Sequence, residues 1–390
     1  MIDRLCASPG CVSAWVAGCV LLSMASVLQA AEVFEIEGDR GTRLRAEPVA
    51  RFDGPWAMTF LPNGALLVTE QSGRLWCVDA HGAKAAVTGV PEVAYGGQGG
   101  LGDIVLAPDF ETSDRVYLSY AAREDDSVRQ GAVVVSARLK TGAGQPRLTD
   151  IQEIWRQQPF VTGNGHYSHR MAFGPAGTPQ AGYLFITSGE RQKQSPAQSL
   201  ETNLGKIVRL QANGDVPEDN PFAEKGGIAR QFWSIGHRNL LGIAFDDRGQ
   251  LWAQEMGPRH GDELNRIEPG ANYGWPVVSE GDHYSGQAIP NHETRPEFMP
   301  PALAWVPAIS PAGLAIYSGD MFPAWRGHAL LGGLSSKALI RVDLGAAQPR
   351  EAERYRWGKR VREVEVGPDG ALWVLEDNNG RLLRLTPAST

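Results

Sequence analysis

The chain has 390 residues and a net charge of −7, with 42% hydrophobic residues, 46 glycines and 26 prolines. Its hydrophobic fraction is enough for a large core, and its glycines and prolines supply many turns, as an all-β globular protein requires. An acidic chain without a basic run is a poor binder of nucleic acid or of anionic membranes, so neither partner is expected.

Residues 1–31 differ in composition from the rest of the chain. A short polar start with Arg4 precedes the mostly apolar or small residues Val12 to Leu28, and Gln29-Ala30-Ala31 offers a cleavage site. We interpret this segment as an export signal that is cleaved, which predicts a periplasmic protein. Two alternatives stay open, namely a membrane anchor and lipidation at Cys19, because Val16-Ala17-Gly18-Cys19 resembles a bacterial lipobox.

Cleavage after Ala31 would leave Cys77 as the single cysteine of the mature chain. An intrachain disulfide and a cysteine-based metal or haem site are then excluded. Because Cys77 lies within Gly73-Arg74-Leu75-Trp76-Cys77-Val78, we expect a packed strand cysteine rather than a reactive thiol.

One pattern recurs six times after the N-terminal segment: alternating apolar residues, a turn rich in Pro, Asp or Gly, and a second alternating run. The copies begin at Ala57, Gly102, Met171, Ile243, Leu314 and Val364. Period-2 runs separated by turns are typical of antiparallel strands, and self-similarity at tens of residues indicates a repeat architecture. We therefore predict an all-β fold, a six-bladed β-propeller of four-stranded antiparallel sheets, as a single domain over residues 32–390.

The repeats leave long loops, in which binding groups are expected at one end of the central channel. The longest irregular stretches are Arg191 to Gln198, Asp215 to Gly227 and Val278 to Pro301. The C-terminal runs 371–375 and 381–385 are suited to completing the last blade, which would remove exposed strand edges. Whether Val33 to Ala50 supplies the closing strand is left open by the sequence.

The first polar cluster is Gly165-His166-Tyr167-Ser168-His169-Arg170, which precedes a strand, with Gly189-Glu190-Arg191 at the end of the next strand. A hairpin would bring His166 and Glu190 to the same end of the blade, where the carboxylate could orient the imidazole as a general base. The alternative is that His166 is an ordinary surface histidine beside a hairpin.

The second cluster pairs residues 234–242 with the run Glu255-Met256-Gly257-Pro258-Arg259-His260-Gly261-Asp262-Glu263. The Gly257-Pro258 turn leaves main-chain carbonyls free, and acidic residues flank it. Oxygen ligands of this kind suit Ca²⁺ better than a transition metal. A solvated acidic turn explains the spacing equally well.

The third cluster is Lys359-Arg360-Val361-Arg362. Arg360 and Arg362 are two residues apart on a strand and share one face, where two guanidinium groups repel each other unless an anion lies between them. Lys337 offers a third cation, although a run of solvated surface charges is the common explanation for such residues.

A glycine-rich run, Gly96 to Gly102, is suited to close backbone approach to a ligand and would present Gln98 to it. It follows no βαβ pattern, so we do not interpret it as a phosphate-binding loop. The sequence also lacks GxSxG, Walker A and CxxCH motifs.

Together these clusters resemble the soluble PQQ-dependent aldose sugar dehydrogenases of the glucose/sorbosone dehydrogenase family, from about Val49 to Leu385. PQQ is pyrroloquinoline quinone. The motifs that carry the resemblance are Gly97 to Leu101, Gly165 to Tyr167 with Arg170, Gly205 to Leu210, Gly236 to Asn239, Glu255 to Arg259, Gly270 to Pro276 and Arg360 to Arg362.

The resemblance implies a periplasmic enzyme that oxidises aldoses at the anomeric carbon to lactones, by hydride transfer to PQQ, and passes the electrons to an external acceptor. It implies that His166 is the base, that Glu190 orients it and that Gln98 lies beside cofactor and substrate.

The resemblance further implies residues that contact the cofactor and residues that bind Ca²⁺. The cofactor residues are Arg238 and Asn239 at the quinone oxygens, Arg360 and Arg362 at the carboxylates, and Tyr284 and Lys337 as further contacts. The metal ligands are the carbonyls of Gly257 and Pro258 at a cofactor-bridging Ca²⁺, and Glu263 with the Tyr273 carbonyl at a second, structural Ca²⁺.

Two departures from the family are visible. Ser168-His169 stands where relatives often have Gly-Gly, so pocket shape is expected to differ. Ser335 stands where relatives often have a cofactor-contacting Lys, and we expect Lys337 to replace it from the same strand face by period 2.

Two other functions remain open, a Ca²⁺-dependent lactonase on the same architecture and a non-catalytic sugar- or protein-binding propeller. A lactonase would need metal-facing acids from several blades, whereas the acids here concentrate on one. We expect a monomer or homodimer with no membrane span in the mature chain.

Overall fold

The computed structural model describes residues 32–125, 127–142 and 144–388. The predicted export signal, the alternative membrane anchor and the lipidation site at Cys19 all fall on residues 1–31 and so lie outside the described residues. Within those residues, no helix combines the length and the apolar character that crossing a membrane would need.

The described residues form six antiparallel sheets, which we number as blades 1 to 6. The strands, in chain order, are β1 Phe34–Glu37 and β2 Arg43–Arg51; β3 Pro55–Phe60, β4 Leu66–Glu70, β5 Arg74–Val78 and β6 Lys84–Val87 in blade 1; β7 Leu101–Leu106, β8 Arg115–Arg123, β9 Gln130–Lys140 and β10 Arg147–Arg156 in blade 2; β11 Ser168–Phe173, β12 Leu184–Ser188, β13 Lys206–Leu210 and β14 Phe232–Ile235 in blade 3; β15 Leu240–Phe245, β16 Leu251–Glu255, β17 Asp262–Ile267 and β18 Leu303–Trp305 in blade 4; β19 Pro311–Ile316, β20 Ala329–Gly333, β21 Ala338–Asp343 and β22 Arg350–Arg356 in blade 5; and β23 Val361–Val366, β24 Leu372–Glu376 and β25 Arg381–Pro387 in blade 6.

Within residues 32–125, 127–142 and 144–388, helical structure is limited to one short α-helix, α1, and short 3₁₀ turns in the loops. These segments are α1 Phe110–Ser113 and the 3₁₀ turns Ser195–Gln198, Ala223–Lys225, Gly227–Gln231, His292–Thr294 and Pro323–Trp325. The prediction of an all-β, six-bladed propeller is confirmed.

The ring closes between the two ends of the described chain. The first strand of each blade contacts the first strand of the next, and β23 contacts β3. Blade 6 has the order β1-β2-β25-β24-β23, so the segment that contains β1 and β2 supplies its outer strands. Val33 to Ala50 therefore provides the closing strand that the sequence left open, and it adds a fifth strand to a blade for which four were predicted. Pairing of β2 with β25 joins the two ends of the described chain within blade 6 and so closes the ring.

The second strand of a blade is more deeply buried than period-2 alternation suggests. Every residue of β4, β12, β16 and β20 is buried, because adjacent blades cover both faces of these strands. Exposure of the outer strands varies: three of the four residues of β6 are exposed, whereas all four residues of β14 are buried. Cys77 lies in β5, as predicted for a strand cysteine, and is half-buried with no disulfide partner among the residues that the structure describes. Burial raises the pKa of its thiol.

Each of the six inner strands, β3, β7, β11, β15, β19 and β23, has a register shift near its start. The shifts lie between Pro55 and Ala57, Leu101 and Ile104, Ser168 and Met171, Leu240 and Gly242, Ala312 and Leu314, and Val361 and Glu363. A bulge re-aims the side chains of the strand that carries it. Four residues at these shifts, Trp56, His169, Leu241 and Arg362, line one cavity at this end of the channel.

Candidate active site and metal centre

A cavity of about 580 Å³ opens where the six inner strands begin, and we call it the mouth cavity. All six blades or the loops before them contribute to its wall. The lining residues are Asp53, Gly54, Trp56, Gln71, Gly97, Gln98, Tyr167, Ser168, His169, Asn239, Leu241, Met256, Ser310, Leu334, Arg360, Arg362, Asp377 and Asn378. The structure therefore has a cavity at one end of the channel, where the sequence predicts that groups distant in the chain converge.

His166 and Glu190 form a buried pair at this end of blade 3. His166 Nδ1 lies 2.5 Å from Glu190 Oε1, and the side chains are 9% and 1% exposed. The backbone N–H of His166 donates to Gln98 Oε1 at 2.7 Å, so the predicted Gln98 contacts the predicted base directly. His166 and Glu190 thus lie side by side at one end of the blade, as the hairpin predicted from the sequence requires.

The electrostatics of this pair favour a neutral imidazole beside an ionised carboxylate. Burial lowers the pKa of His166, and the positive charges of Arg238 and Arg191 lower it further against the opposing effect of Glu190. Burial alone would raise the pKa of Glu190, but the hydrogen bond and charge of His166, the backbone N–H of Gln194 and the charge of Arg238 together outweigh it and leave the pKa lowered. A neutral imidazole that donates Nδ1–H to the carboxylate keeps an unprotonated Nε2, the atom that a general base uses.

The loop that carries His166 is held in a left-handed backbone conformation. His166, Ser168 and His169 have φ values of 51°, 59° and 54°, in a region that side chains other than glycine seldom adopt. Such strain persists only where surrounding contacts hold it, and it is concentrated at functional sites.

Arg191 supplies much of that support, and sequence reasoning did not assign it a role. It is 1% exposed. Its Nε donates to the Gly165 carbonyl at 2.9 Å, its Nη1 to the Gln130 carbonyl at 2.7 Å, and its Nη2 to the Gly163 carbonyl. Its guanidinium carbon lies 3.7 Å from the centroid of the Tyr167 ring. The only signal in the sequence is its position next to Glu190.

Arg238 and Asn239 precede β15 and present unpaired donors to the same region. Arg238 Nη1 donates to the Met256 carbonyl at 2.9 Å, and its backbone N–H donates to Glu255 at 2.6 Å. Arg238 Nε and Asn239 Nδ2 are buried without a partner among the described residues. Because buried N–H groups are normally satisfied, these two atoms indicate a missing acceptor.

Tyr284 lies near Arg238 but belongs to an open loop. Its side chain is 73% exposed, and its ring centroid is 6.0 Å from the Arg238 guanidinium carbon. The structure therefore places Tyr284 at the rim rather than in the wall of the mouth cavity.

Arg360 and Arg362 share one face, as predicted, but the anion between them is a residue of this chain. Arg360 Nε donates to Asp377 Oδ2 at 2.6 Å, and Arg362 Nε donates to Asp377 Oδ1 at 2.8 Å. Asp377 follows β24, the partner strand of β23, and sequence reasoning missed it although the same hairpin logic applies. All three residues line the mouth cavity. Their combined charge is +1, so they still attract a ligand carboxylate.

The structure does not bring Lys337 into the mouth cavity. Ser335 and Lys337 lie in the turn between β20 and β21, where both are exposed and Lys337 has a φ of 52°. The expectation that they share a strand face by period 2 is therefore wrong, because neither lies on a strand. Leu334 and Ser310 are the residues that blade 5 contributes.

The four predicted calcium ligands lie around a single small cavity in blade 4. Gly257, Pro258, Glu263 and Tyr273 all line it, together with Glu255 and Arg238. The prediction had divided them between two sites. A Cβ on Gly257 would overlap the carbonyls of His260 and Gly261, so only glycine fits this turn.

Two acidic side chains, Glu255 and Glu263, meet in this cavity, where Arg238 is the one cation among the described lining residues. Glu255 and Glu263 are register partners on β16 and β17, and Asn265 Nδ2 donates to both, at 3.1 and 3.2 Å. Burial and the nearby charge of Glu255 raise the pKa of Glu263 well above its usual range. In residues 32–125, 127–142 and 144–388, no three His, Cys, Asp or Glu side chains form a metal cluster, so a cation here would need main-chain carbonyls. The Tyr273 carbonyl lies 3.1 Å from His292 Nε2.

The fold and site define a closed propeller with a buried imidazole–carboxylate pair, unpaired N–H donors and two arginines around one cavity. The chain belongs to the Glucose / Sorbosone dehydrogenase family, whose sequence model matches residues 52–384.

Named relatives agree with this membership. The chain is 39% identical over 347 residues to the aldose sugar dehydrogenase YliI of Escherichia coli, covering 86% of this chain and 91% of that one. It is similar to the crystal structure of the soluble aldose sugar dehydrogenase of Escherichia coli in the apo-form, with a TM-score of 0.81, 37% identity and coverage of 88% and 100%. It is also similar to the PQQ-bound aldose sugar dehydrogenase of Streptomyces coelicolor, with a TM-score of 0.71, 28% identity and coverage of 88% and 98%.

Proposed function

We propose that this protein is a periplasmic PQQ- and Ca²⁺-dependent aldose dehydrogenase, which oxidises the anomeric carbon of a sugar to a lactone and passes the electrons to an external acceptor. The observation that carries the proposal is the buried His166–Glu190 pair beside a cavity that also holds Arg360, Arg362 and Asn239. The two similar aldose sugar dehydrogenases, one of them described as PQQ-bound, support it.

The mouth cavity fits an anionic, oxygen-rich cofactor. Asn239 Nδ2 and Arg238 Nε are buried donors without acceptors, and quinone oxygens would satisfy them. Arg360 and Arg362 carry a net charge of +1 after pairing with Asp377, which suits a carboxylate bound by planar guanidinium groups. Gln98 already contacts the His166 backbone, so it would lie between base and cofactor. Tyr284, whose ring centroid lies 6.0 Å from the Arg238 guanidinium carbon, would contact the cofactor from its open loop.

The blade 4 cavity fits a hard cation. The carbonyls of Gly257 and Pro258 accept no hydrogen bond from the main chain of the described residues, and Glu263 is buried beside Glu255. A bound Ca²⁺ would relieve the repulsion that keeps the pKa of Glu263 high, and carboxylate with carbonyl oxygens is the donor set that Ca²⁺ prefers. Arg238 lines this cavity and is followed directly by Asn239, which lines the mouth cavity, so a cation here would act close to the cofactor.

His166 would remove the proton of the anomeric hydroxyl through its free Nε2. Glu190 would hold the ring through Nδ1 and stabilise the positive charge that the imidazole gains as it takes the proton. A positioned base of this kind contributes roughly 10²–10⁴ in rate. PQQ, when bound, supplies a two-electron acceptor for the anomeric hydride. Arg238 and Asn239 would donate to oxygens on which negative charge develops.

The direct test is reconstitution of the purified apo-protein. Mixing it with PQQ and CaCl₂ should give reduction of an artificial dye that depends on an added aldose, with the lactone as product. Omission of PQQ or chelation of Ca²⁺ should abolish the reaction, while a variant of an exposed residue such as His81→Phe should behave as the wild type.

Three outcomes would contradict the proposal. The first is no dye reduction with a broad panel of aldoses. The second is lactone hydrolysis without PQQ, which would instead identify a lactonase. The third is sugar binding without turnover, which would identify a binding propeller. Cell fractionation of the full-length chain, with N-terminal sequencing of the exported form, tests the proposed location and cleavage separately.

A further inference from the structure

His169 is built into the wall of the mouth cavity, where the reaction described above assigns it no role. It is 1% exposed, and its ring stacks on Trp56 with centroids 5.0 Å apart and an interplanar angle of 9°. Tyr167 packs edge-on against it at 6.2 Å. A Cβ on Gly102 would overlap the His169 ring, so blade 2 has no side chain there and leaves room for the imidazole.

Hydrogen-bond accounting determines which ring nitrogen carries the proton. Ser119 Oγ lies 2.7 Å from His169 Nδ1, and the same oxygen accepts the backbone N–H of Asp103 at 2.8 Å. Ser119 is fully buried, so its one hydroxyl hydrogen needs an acceptor, and His169 Nδ1 is the acceptor within reach. The hydroxyl therefore donates to Nδ1, which fixes a neutral imidazole with the hydrogen on Nε2.

The charges that surround His169 keep the ring neutral. Burial, followed by the positive charges of Arg170 and Arg191, lowers the pKa of His169 to about 3. At neutral pH the ring is thus a donor through Nε2 and cannot act as a cation.

The Nε2–H group has no acceptor among the described residues, and it is not among the buried unpaired atoms, so it faces open space. That open space is the mouth cavity, which His169 lines. Asn239, Arg362 and Gln98 supply further N–H groups to the same cavity. A wall with this many donors is complementary to a ligand rich in acceptor oxygens.

The depth of His169 distinguishes between cofactor and sugar. His169 and Trp56 lie at the register shifts inside β11 and β3, at the same level as Arg362 in β23. His166 lies before β11 begins, nearer the loops. A sugar must reach His166 Nε2 from the loop side, so the deeper wall faces the cofactor.

We propose that His169 is a further cofactor-contacting residue, whose Nε2–H donates to an oxygen of PQQ while Ser119 fixes the tautomer. This inference rests on the proposed function and goes beyond it, because it assigns a new contact to a residue of the Ser168-His169 pair, where this chain departs from the family pattern. Gly102, Ser119 and Trp56 act as positioning residues for this donor.

Cofactor affinity, measured without turnover, tests the contact. We would titrate PQQ into apo-protein with CaCl₂ and follow quenching of tryptophan fluorescence for the wild type, His169→Phe and His169→Gln. Phe keeps the ring stack without a donor, so the Kd should rise about tenfold or more, as expected for a lost hydrogen bond to a charged acceptor. Gln keeps an N–H donor and should stay within about threefold of the wild type. His81→Phe, at an exposed histidine, is the matched control and should not change the Kd.

A second measurement determines the tautomer in the wild type and uses the His169→Gln variant only to assign the signals. A ¹⁵N spectrum of the imidazole groups, with the His169 signals assigned by their loss in His169→Gln, should give a protonated Nε2 and an unprotonated Nδ1. The Nε2–H signal should shift when PQQ is added.

The outcomes separate this inference from the proposed function. Unchanged PQQ affinity in a folded His169→Phe, a protonated Nδ1, or an effect confined to the KM for sugar would overturn the His169 contact alone. Failure of the wild type to bind PQQ would overturn both. A Ser119→Ala variant that populates both tautomers and binds PQQ more weakly would support the positioning role.

Discussion

The mouth cavity and the middle of the channel are built from the same six inner strands, yet they use charge in opposite ways. The mouth cavity has a volume of about 580 Å³ and a wall rich in nitrogen donors. A few residues further along the strands, a cavity of about 80 Å³ is lined by three acids, Asp103, Glu363 and Glu365, with Arg170 as its cation. We call this second space the channel cavity.

The difference lies in where each charge finds its partner. Arg170 Nη1 pairs with Asp103 at 3.3 Å and with Glu363, and its guanidinium carbon lies 3.9 Å from the Trp56 ring that also supports His169. In the channel cavity the single cation is therefore bound to two acids of the chain itself, although its Nε and Nη2 have no partner among the described residues. At the mouth, Asn239 Nδ2 is unpaired beside a much larger space. An unpaired donor in a cavity of about 580 Å³ is available to a large ligand, whereas the cavity of about 80 Å³ around Arg170 has no room for one.

The strongest test of the mouth as a catalytic region is His166→Gln. Gln keeps a polar group of similar size but cannot accept a proton at neutral pH, so kcat should fall roughly 10²–10⁴-fold. Stopped-flow or steady-state dye reduction measures this loss. The Kd for PQQ should change little, and an equal loss of cofactor affinity would contradict the role of His166 as base.

The pH dependence of the wild type checks the same residue. The pKa of His166 is lowered by burial, and the base acts in its neutral form, so activity should be retained below pH 6.5 and lost only as the pH falls through the lowered value. A profile that already declines above pH 6.5 would identify a different base.

The channel cavity is tested by Arg170→Met, which should act on stability. Removing this buried cation leaves Asp103 and Glu363 unpaired, and breaking a buried pair costs about 3–5 kcal/mol in the free energy of unfolding. Chemical denaturation measures the loss. Arg360→Met is the matched control at the mouth, where the side chain is 36% exposed, and it should cost about 1 kcal/mol or less.

A second substitution distinguishes lost charge from lost packing. Adding Glu363→Gln to Arg170→Met removes one of the unpaired carboxylates, so the double variant should be more stable than Arg170→Met alone. If the effects of Arg170→Met and Glu363→Gln on the free energy of unfolding are simply additive, the ion pair is not the source of the stability.

The sequence predicted the blades and the His166–Glu190 pair because both depend on local pairing. Alternating runs separated by short turns pair with their neighbours, and the ends of β11 and β12 must then meet. The same rule predicts Asp377 beside Arg360 and Arg362, since β23 pairs with β24. That pair was assigned to an external anion because two arginines were considered without the acid on the next strand.

Other features depend on contacts that no short window of sequence contains. β2 pairs with β25, although the two strands are separated by nearly the whole length of the chain. Arg191 supports the His166 loop by donating to main-chain carbonyls, which any residue could supply. A bulge inserts a residue into an inner strand and interrupts the alternation of side chains between its two faces. The amino-acid composition gives no sign of it, so counting by period 2 could not place His169 and Arg362 in one cavity. Lys337 was misplaced for the related reason that a turn was read as a strand.

Glu365 offers a smaller test of the channel cavity, through pH. Burial, with the nearby charges of Glu363 and Asp103, raises its pKa from 4.5 to about 8, while Arg170 opposes the shift. The folded state thus keeps a proton that the unfolded state releases above about pH 4.5, so this group lowers stability as the pH rises from there to about 8. In Glu365→Gln the penalty is absent. The Tm advantage of the variant over the wild type should therefore grow between pH 5 and pH 9, and a constant difference would contradict the raised pKa.

The smallest effect is expected at Lys337, where the resemblance and the geometry disagree. Its side chain is exposed in the turn after β20, outside the wall of the mouth cavity, so Lys337→Ala should leave the Kd for PQQ within about twofold of the wild type. Arg360→Ala is the comparison, because Arg360 lines the cavity, and its loss should weaken PQQ binding several-fold. Fluorescence titration of both variants decides between them. If Lys337→Ala weakens binding as much as Arg360→Ala, the turn must close over the cofactor, and Lys337 would have to be added to the wall that blade 5 contributes to the mouth cavity.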